Sequence, residues 1–283
     1  MKKNVLFCGF GRLGTDCLER LIKENYNIIF IMTHKENLED SVDTFAKDNR
    51  IEYSYANPRK ERDSIYKLSN KFIIDYIVSI NYRYILPVEM IKSCKYALNI
   101  HGSLLPKYRG RTPHVWSIIN GEKYTGVTCH LIDSGVDTGD IIEQIAVRIE
   151  QNDTGYSLLQ KFQEIYPDIL IKSLNKLQIG FIPIPQNERG ASYYGKRIPE
   201  MGYIDFHKSM NQVINFVRAQ AYPYPGAYHY LSNGRKIVIN SLIPEINKNI
   251  LIEDIGIIKE IENRYYVRCI DGVLKLDNFN IIE

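Results

Sequence analysis

The sequence predicts an α/β protein, with a Rossmann-like, mostly parallel sheet and flanking helices followed by a small C-terminal β-rich domain resembling an OB-like barrel. Three observations predict it. Short apolar runs alternate with helical patterns through the first half of the chain, which is typical of βαβ units. A Gly-x-Gly-x-x-Gly motif at residues 9–14 follows the first run. After residue 226, short strands are separated by Asn-Gly and Asp-Gly, which favour hairpins. A chain of 283 residues is long enough for two domains.

The individual elements follow from apolar spacing. The runs predicted as the first five strands are residues 5–8, 28–32, 51–55, 76–80 and 96–101. Helices are predicted from helix-face spacing or capping signals at residues 13–22, 38–47, 65–68, 87–94 and 113–120. Strands that alternate with helices in this way form right-handed βαβ units, so the sheet should be mostly parallel.

The later part of the chain changes in character. Two further strands are predicted at 126–133 and 141–149, and a long amphipathic helix follows at 153–177. Residues 183–190, rich in Pro, Asn and Gly, have the composition of a linker. Beyond it come a helix and five short strands, at residues 210–218, 227–231, 236–242, 256–261, 265–270 and 273–276. We therefore expect a catalytic domain over residues 1–200 and a C-terminal helix with a small antiparallel β domain over 201–283.

Composition excludes several classes of function. The net charge is only +3 and no long Lys/Arg cluster occurs, which argues against a nucleic-acid partner but is compatible with an anionic small molecule. The five cysteines are scattered without metal-ligand spacing, so we expect reduced thiols and no metal site. No apolar window approaches the roughly 20 residues of a spanning helix. We expect a cytoplasmic protein with no membrane partner.

The glycine motif suggests a phosphate site. Gly9, Gly11 and Gly14 lie between a strand and a helix, where bare backbone and a helix N-terminus can bind phosphate, and Arg12 adds positive charge. A nicotinamide-binding site would need an acidic residue about 20 positions later. Thr33-His34-Lys35 stands there instead, which favours the phosphate of another ligand. Dinucleotide binding and simple tight packing of the glycines remain as alternatives.

Two polar segments form a candidate catalytic centre. Asn99 and His101 alternate at the end of a predicted strand, so they share a face. A histidine there can exchange a proton near neutral pH, and an amide can stabilise a developing oxyanion. The acidic loop Asp133–Asp140 can supply a carboxylate to the imidazole. The alternative is a packed core histidine and a solvated turn.

These segments resemble a known family. Asn99-Ile-His-Gly-Ser-Leu-Leu-Pro-Lys-Tyr-Arg-Gly110, Gly126-Val-Thr and Asp137-Thr-Gly-Asp140 are similar to the motifs of the 10-formyltetrahydrofolate-dependent formyltransferases. The resemblance implies transfer of a formyl group from N10-formyltetrahydrofolate to an amine, without a metal. It also implies that His101 relays the amine proton, Asn99 stabilises the oxyanion and Asp137 supports the imidazole.

The resemblance also implies binding residues. The folate is expected against two loops, at Tyr82, Arg83, Tyr84, Ile85, Leu86, Asp133 and Asp140. The second substrate is expected at the glycine loop and at basic and hydroxyl side chains, namely Gly9, Phe10, Gly11, Arg12, Ser103, Lys107, Lys196 and Arg197. The remaining histidines receive no catalytic role; they are His34, His114, His130, His207 and His229.

Three branches of the family differ in the amine. Methionyl-tRNA formyltransferases carry a long basic insertion after the second strand, whereas residues 33–41 here are short and slightly acidic. Glycinamide ribonucleotide formyltransferases would leave residues beyond about 200 unexplained. The sugar N-formyltransferases, and especially the domain that acts on UDP-4-amino-4-deoxy-L-arabinose, match more segments, including Tyr194-Gly-Lys-Arg197.

The sequence thus favours a sugar N-formyltransferase of lipopolysaccharide or O-antigen biosynthesis, by family analogy a homodimer. The first candidate acceptor is dTDP-4-amino-4,6-dideoxyglucose. Alternatives are a dTDP-3-amino-3,6-dideoxyhexose, UDP-4-amino-4-deoxy-L-arabinose and methionyl-tRNA. Two further alternatives are a nucleotide-binding protein or oxidoreductase built around the glycine motif, and a hydrolase that releases formate from formyl-folate.

Overall fold

The computed structural model describes residues 2–35, 40–60, 71–247 and 250–282. The chain forms two compact units, which we describe separately. Unit 1 comprises Met1–Gly110, Gly126–Val147 and Lys161–Tyr193. Unit 2 comprises Arg111–Thr125, Arg148–Gln160 and Tyr194–Glu283. The domain boundary near residue 200 stays a prediction.

The first part of the chain builds a seven-stranded sheet in the order β3-β2-β1-β4-β5-β7-β8. Its strands, together with the two-residue β6, are β1 (Asn4–Gly9), β2 (Asn27–Met32), β3 (Tyr53–Ser54), β4 (Ile74–Ile80), β5 (Cys94–His101), β6 (Arg109–Gly110), β7 (Tyr124–Leu131) and β8 (Ile141–Arg148). The β1–β2, β2–β3, β1–β4 and β4–β5 pairs are parallel, and β7 is antiparallel to β5. The predicted mostly parallel α/β fold is confirmed.

The described helices follow the expected alternation. They are α1 (Gly11–Lys23), α2 (Val42–Asp48), α3 (Val88–Lys92), α4 (Pro113–Ile119), α5 (Gly155–Gln178) and α6 (Met210–Ala219). The start of α2 at Val42 has a local cause, because the Ser41 hydroxyl accepts the Thr44 N–H. The helix predicted at 65–68 lies outside the described residues, and so do residues 38 and 39 of the one predicted at 38–47. Residues 40 and 41 of that prediction precede the helix and are not part of it.

The central strands owe their position to continuous apolar sequence. Residues 5–8 of β1 are completely buried, as expected when helices cover both faces of a parallel sheet. The parallel register pairs Gly9 with Ile80, and Ile80 with Ile100. The carboxyl ends of β1, β4 and β5 therefore meet at one edge, where α/β proteins bind ligands. His101 ends β5 at that edge.

Unit 2 contains a five-stranded antiparallel sheet in the order β10-β11-β14-β13-β12. Its strands, preceded by the two-residue β9 (Tyr193–Tyr194), are β10 (Ala227–Tyr230), β11 (Lys236–Pro244), β12 (Ile258–Ile261), β13 (Arg264–Cys269) and β14 (Gly272–Ile282). Val213 and Val217 of α6 pack with strand residues such as Ile237 and Leu274 in one buried cluster. The last strand is longer than predicted because it pairs with both β11 and β13.

Helices of the described ranges are all too short or too polar to traverse a bilayer.

Candidate active site

Two strands bring the polar residues of the site together. Asn99 and His101 alternate along β5, and the antiparallel register places His130 opposite Asn99 and Thr128 opposite His101. Side chains directly opposite each other in such a pair lie close enough to interact. The site is therefore built on the central sheet, with loops added around it.

His101 is buried, with 6% of its surface exposed. Its Nε2 lies 2.7 Å from the carbonyl oxygen of Tyr108. A carbonyl oxygen can only accept, so Nε2 carries the proton and Nδ1 holds the lone pair of the neutral ring. Nδ1 lies 3.5 Å from Oδ2 of Asp137. Burial lowers the pKa of His101, against the opposing influence of Asp137, so the ring is a neutral base near pH 7.

Asp137 comes from the loop between β7 and β8. Its backbone has a left-handed φ of 56°. Its Oδ2 accepts the N–H of Gly110 at 2.9 Å, and its Oδ1 lies 3.7 Å from Nε2 of His130. Burial alone would raise the pKa of Asp137, but attraction to the neighbouring histidines in their protonated forms and the hydrogen bond from the Gly110 N–H hold it below its usual range. The site thus contains a mostly buried, ionised carboxylate beside a neutral imidazole.

His130 is a site residue that sequence reasoning missed. Its Nδ1 donates to the carbonyl oxygen of Leu131 at 2.7 Å, so its Nε2 can accept from the Asn99 amide nitrogen, 3.1 Å away. This contact fixes which end of the Asn99 amide faces β7. The alternation of Thr128 and His130 along β7 was a usable signal, but the cross-strand register that pairs His130 with Asn99 is not visible in the sequence.

The loop after His101 is held by its own polar groups. The buried Ser103 hydroxyl donates to the carbonyl oxygen of Lys107 at 2.6 Å. The Thr128 hydroxyl donates to the carbonyl oxygen of Ser103 at 2.6 Å. Lys107 is exposed. The predicted substrate role of Ser103 stays a prediction, since the structure gives its hydroxyl a partner within the loop.

The backbone of the glycine loop explains why glycine is required at positions 9, 11 and 14. Gly11 has a left-handed φ of 66° at the start of α1. A Cβ at Gly9 would lie 2.1 Å from the Phe7 ring, and one at Gly14 would lie 2.9 Å from Val42. The N-terminal N–H groups of α1 have no side-chain cap at Phe10, which suits an anion. Both phosphate binding and tight packing are therefore compatible with this loop.

Arg12, predicted beside the phosphate, has two acidic neighbours. Its Nε lies 2.7 Å from Asp16, and its Nη1 lies 2.9 Å from Asp40. Its positive charge is accordingly shared with two carboxylates in this structure. The predicted contact between Arg12 and substrate phosphate stays a prediction.

An aromatic cluster joins the glycine loop to the loop after β4. The His34 ring lies 5.4 Å from Phe10, 4.9 Å from Tyr82 and 4.7 Å from Tyr84, between ring centres. Its Nε2 accepts the Arg83 N–H at 3.1 Å, and the Arg83 guanidinium lies 3.7 Å from the Phe10 ring centre. Burial and Arg83 lower the pKa of His34. His34 thus stands where dinucleotide-binding folds carry an acidic residue. Here it is a neutral ring that packs against aromatic side chains and accepts a hydrogen bond.

The two loops predicted to hold the folate converge on one apolar cluster. Tyr82 and Leu86 from the first loop and Ile132 from the second pack in the same cluster. In the same two loops, Ile85 and Val136 are about half exposed. A flat pterin, with apolar faces and polar edges, fits such a surface with backbone groups at its rim. Within the second loop, Asp133 accepts from Gly135 and Thr138, and the Asp140 carbonyl accepts from Leu131.

Lys196 and Arg197, also predicted to bind substrate, belong to unit 2. Lys196 is exposed. Arg197 donates to the carbonyl oxygen of Met201 and to Gln220, and its guanidinium lies 4.9 Å from the Trp116 ring centre. Their role in phosphate binding stays a prediction.

Among residues 2–35, 40–60, 71–247 and 250–282, no group of three or more His, Cys, Asp or Glu side chains is arranged to hold a metal ion.

Two family models match this chain. Residues 1–174 match the formyl transferase family model, and residues 197–281 match the formyl transferase C-terminal domain. WlaRD, a sugar 3N-formyl transferase crystallised with dTDP and 5-N-formyl-THF, is 23% identical, with 98% of each chain covered and a TM-score of 0.76.

Two further solved structures are similar. The N-formyltransferase from Helicobacter canadensis, in complex with folinic acid and dTDP-3-aminofucose, is 21% identical over 99% of this chain and 100% of that one, with a TM-score of 0.77. A 4-N formyltransferase from Francisella tularensis is 24% identical over 84% of this chain and 96% of that one, with a TM-score of 0.68. Since the family model spans more than half of its residues, this chain belongs to the formyl transferase family and is a formyltransferase.

Proposed function

We propose that the protein is a sugar N-formyltransferase, which moves the formyl group of N10-formyltetrahydrofolate to the amine of a nucleotide-linked amino sugar. The observation that carries the proposal is the convergence of Asn99, His101 and Asp137 at the carboxyl edge of the sheet. A neutral imidazole, an ionised carboxylate and an amide donor are the groups that acyl transfer to an amine requires.

The tautomer of His101 assigns the basic nitrogen. Because Nε2–H donates to Tyr108, the proton of the attacking amine goes to Nδ1, which later returns it to N10 of the folate when the bond between N10 and the formyl carbon breaks. The imidazolium that forms then lies against Asp137, whose carboxylate is already ionised and stabilises the new charge. The His101–Asp137 distance of 3.5 Å is expected to shorten when Nδ1 is protonated.

Asn99 is the proposed oxyanion donor. One hydrogen of its amide points to Nε2 of His130 at 3.1 Å. The amide nitrogen carries a second hydrogen, which can donate to the formyl oxygen as that oxygen gains negative charge. His130 thus positions the donor, and Asn99 makes the contact with the reacting group.

The folate supplies the formyl group, and the fit of its pterin to the two converging loops supports this donor. Tyr82, Leu86 and Ile132 provide the apolar base, and Ile85 and Val136 add half-exposed apolar side chains to the same two loops. Backbone groups of residues 82–86 and 133–140 would hold the polar edge of the pterin. The structural neighbours crystallised with formyl-THF or folinic acid support a folate as the formyl donor.

A nucleotide sugar is favoured over tRNA as the acceptor. The segment 33–41 is short and has no excess of basic residues, whereas binding an RNA backbone requires positive charge. Residues 36–39 lie outside the described residues, so this argument rests on the sequence. Phe10 gives α1 no side-chain cap, and a helix start beside a glycine loop suits the diphosphate of a nucleotide sugar.

The proposed acceptor is dTDP-4-amino-4,6-dideoxyglucose, followed by a dTDP-3-amino-3,6-dideoxyhexose and UDP-4-amino-4-deoxy-L-arabinose. Neighbours that act on 3-amino and on 4-amino sugars both support the class of substrate. A cytoplasmic homodimer that serves lipopolysaccharide or O-antigen biosynthesis is part of the same proposal.

The test is direct. The protein is incubated with N10-formyltetrahydrofolate and each nucleotide amino sugar, and the products are analysed by mass spectrometry. We expect one sugar to gain the mass of a formyl group at the amine. Formylation of methionyl-tRNA without formylation of any sugar would contradict the proposal, and so would release of formate alone.

A further inference from the structure

The most buried charged side chain of the described residues lies next to the site and has no role in the chemistry above. Arg109 is completely buried. It precedes Gly110, whose N–H donates to Asp137. Its guanidinium donates to Glu188 at 2.6 and 2.9 Å, to Gln186 at 2.7 and 3.2 Å, and to the Tyr193 hydroxyl at 2.6 Å. A buried guanidinium with this many partners is held in one orientation.

Gln186 carries that orientation to the catalytic loop. Its Oε1 accepts from Arg109, so its Nε2 must point the other way. Nε2 donates to the carbonyl oxygen of Asp137 at 2.8 Å and to that of Gly139 at 2.7 Å. A guanidinium can only donate hydrogen bonds. If the Gln186 amide were flipped, its Nε2 donor would face the donors of Arg109, and neither could accept. Arg109 therefore determines which end of Gln186 faces the loop.

The loop needs such support. Asp137 has a φ of 56°, a left-handed conformation that costs free energy at a residue other than glycine, although aspartate tolerates it better than most residues. Two residues later, the backbone of Gly139 lies so close to the carbonyl oxygen of Leu131 that a Cβ would be 1.8 Å from it. The Gln186 amide bonds both of these residues across the turn, so it holds the part of the loop that aims the Asp137 carboxylate.

We infer that Arg109 and Gln186 form a positioning clamp, which fixes the Asp137 carboxylate against His101. The clamp acts at two points on Asp137. Gly110, adjacent to Arg109, donates to its carboxylate, and Gln186 donates to its carbonyl oxygen. This inference rests on the proposed function, in which Asp137 stabilises protonated His101.

Gln186→Glu tests the clamp with the smallest change in shape. The carboxylate still accepts from Arg109, but it offers an acceptor to the two loop carbonyls that Gln186 bonded. We expect kcat to fall about 100-fold, the effect of misplacing a catalytic group by about 1 Å, with both KM values unchanged. Gln178→Glu is the matched control, because Gln178 bonds Tyr26 at an exposed position of α5; its kcat should equal that of the wild type.

Arg109→Lys provides the second arm, since lysine keeps the charge but lacks the fork that orients Gln186. It should lower kcat to a similar extent. The kcat of the double variant should be only slightly lower than that of either single variant, because both changes disrupt the same positioning clamp. If Gln186→Glu does not fold, Gln186→Leu carries the same expectation. A kcat that stays at the wild-type value in the folded Gln186 variant would overturn the clamp.

The titration of His101 separates positioning from simple destabilisation. When Asp137 moves away, His101 loses the carboxylate that favours its protonated form, so its NMR titration should move to lower pH than in the wild type. A loss of kcat without this shift would overturn the proposal. The NMR measurement needs no substrate. A wild-type protein that formylates no sugar would therefore refute the proposed function, whereas the titration of the Gln186 variant still decides the clamp.

Discussion

Asp137 lies between two histidines, with one carboxylate oxygen near His101 and the other near His130. A buried carboxylate stays ionised only when donors or positive charges surround it. Here the Gly110 N–H is a permanent donor to it. In the proposed reaction, this arrangement leaves His101 free to be neutral before the reaction and charged during it, while the carboxylate keeps its charge throughout.

Asp137→Asn tests the role of that charge. The substitution preserves the size of the side chain but removes the partner of the imidazolium, so kcat should fall about 1,000-fold, within the range of general acid–base effects. The dissociation constants for the folate and the sugar nucleotide should stay within about threefold of the wild-type values, because neither ligand is proposed to depend on this charge. Retention of wild-type kcat would contradict the assignment.

The pH dependence of kcat reports the state of His101. The active form is the neutral ring, and burial lowers the pKa of His101 below its ordinary value of 6.5. The value of kcat should therefore not change with pH around pH 7, and it should fall only as the pH drops through a value below 6.5. Steady-state assays from pH 5 to pH 9 at saturating substrate measure this limb. If the loss of kcat caused by protonation of His101 set in above pH 6.5 instead, the ring would be charged in the resting enzyme, and the account would be contradicted.

His130→Leu tests the positioning of the oxyanion donor. Without an acceptor at position 130, the Asn99 amide is no longer oriented, and kcat should fall by about 10- to 100-fold, less than the loss from removing an oxyanion donor itself. His207→Leu, at an exposed histidine of unit 2, is the control and should be indistinguishable from the wild type. Equal activity of the two variants would remove His130 from the site.

Sequence and structure agree unequally at this scale. Asn99, His101 and Asp137 could be selected because they stand in a long motif. His130 could not, because its partner Asn99 is defined by the register between two strands. The role of Gln186 was also hidden, since its hydrogen bonds reach Asp137 across 49 positions of the chain.

At the scale of elements, the loop between β7 and β8 depends on one close approach. The carbonyl oxygen of Leu131 leaves no room for a side chain at position 139. Gly139→Ala should therefore displace the loop. The displacement should lower kcat, and it should lower the melting temperature by several degrees. Gly190→Ala is the matched control, because its Cβ would make an ordinary 3.5 Å contact with Pro106. Thermal unfolding and kcat of the two variants measure the difference, and equal values would contradict the described loop.

The elements with strong periodicity were the ones that sequence could predict. β1, β2, β4 and β5 match their apolar runs closely, since burial on both faces leaves a continuous signal. Residues 183–190 were predicted only as a linker. They contain Gln186 and Glu188, and Ile184 bridges to Ile141. A segment held by side-chain hydrogen bonds and a single bridge has no periodicity, so its place beside the site could not be foreseen.

At the scale of the whole molecule, family membership and composition limit the function in different ways. Both domain models of the formyl transferase family match the chain, which gives the reaction class. The small net charge of +3 argues against a polyanionic acceptor. Recognition of the sugar depends on side chains that neither motif nor charge identifies, which is why the acceptor is a proposal.

One measurement tests the central claim most directly. Wild-type protein and His101→Ala are incubated with N10-formyltetrahydrofolate and dTDP-4-amino-4,6-dideoxyglucose, with the other amino sugars and methionyl-tRNA in parallel, and formylated product is followed by mass spectrometry. We predict formylation of one sugar nucleotide by the wild type and a rate about 1,000-fold lower with His101→Ala, although both proteins are folded. Equal rates for the two proteins, or product only from methionyl-tRNA, would contradict the account.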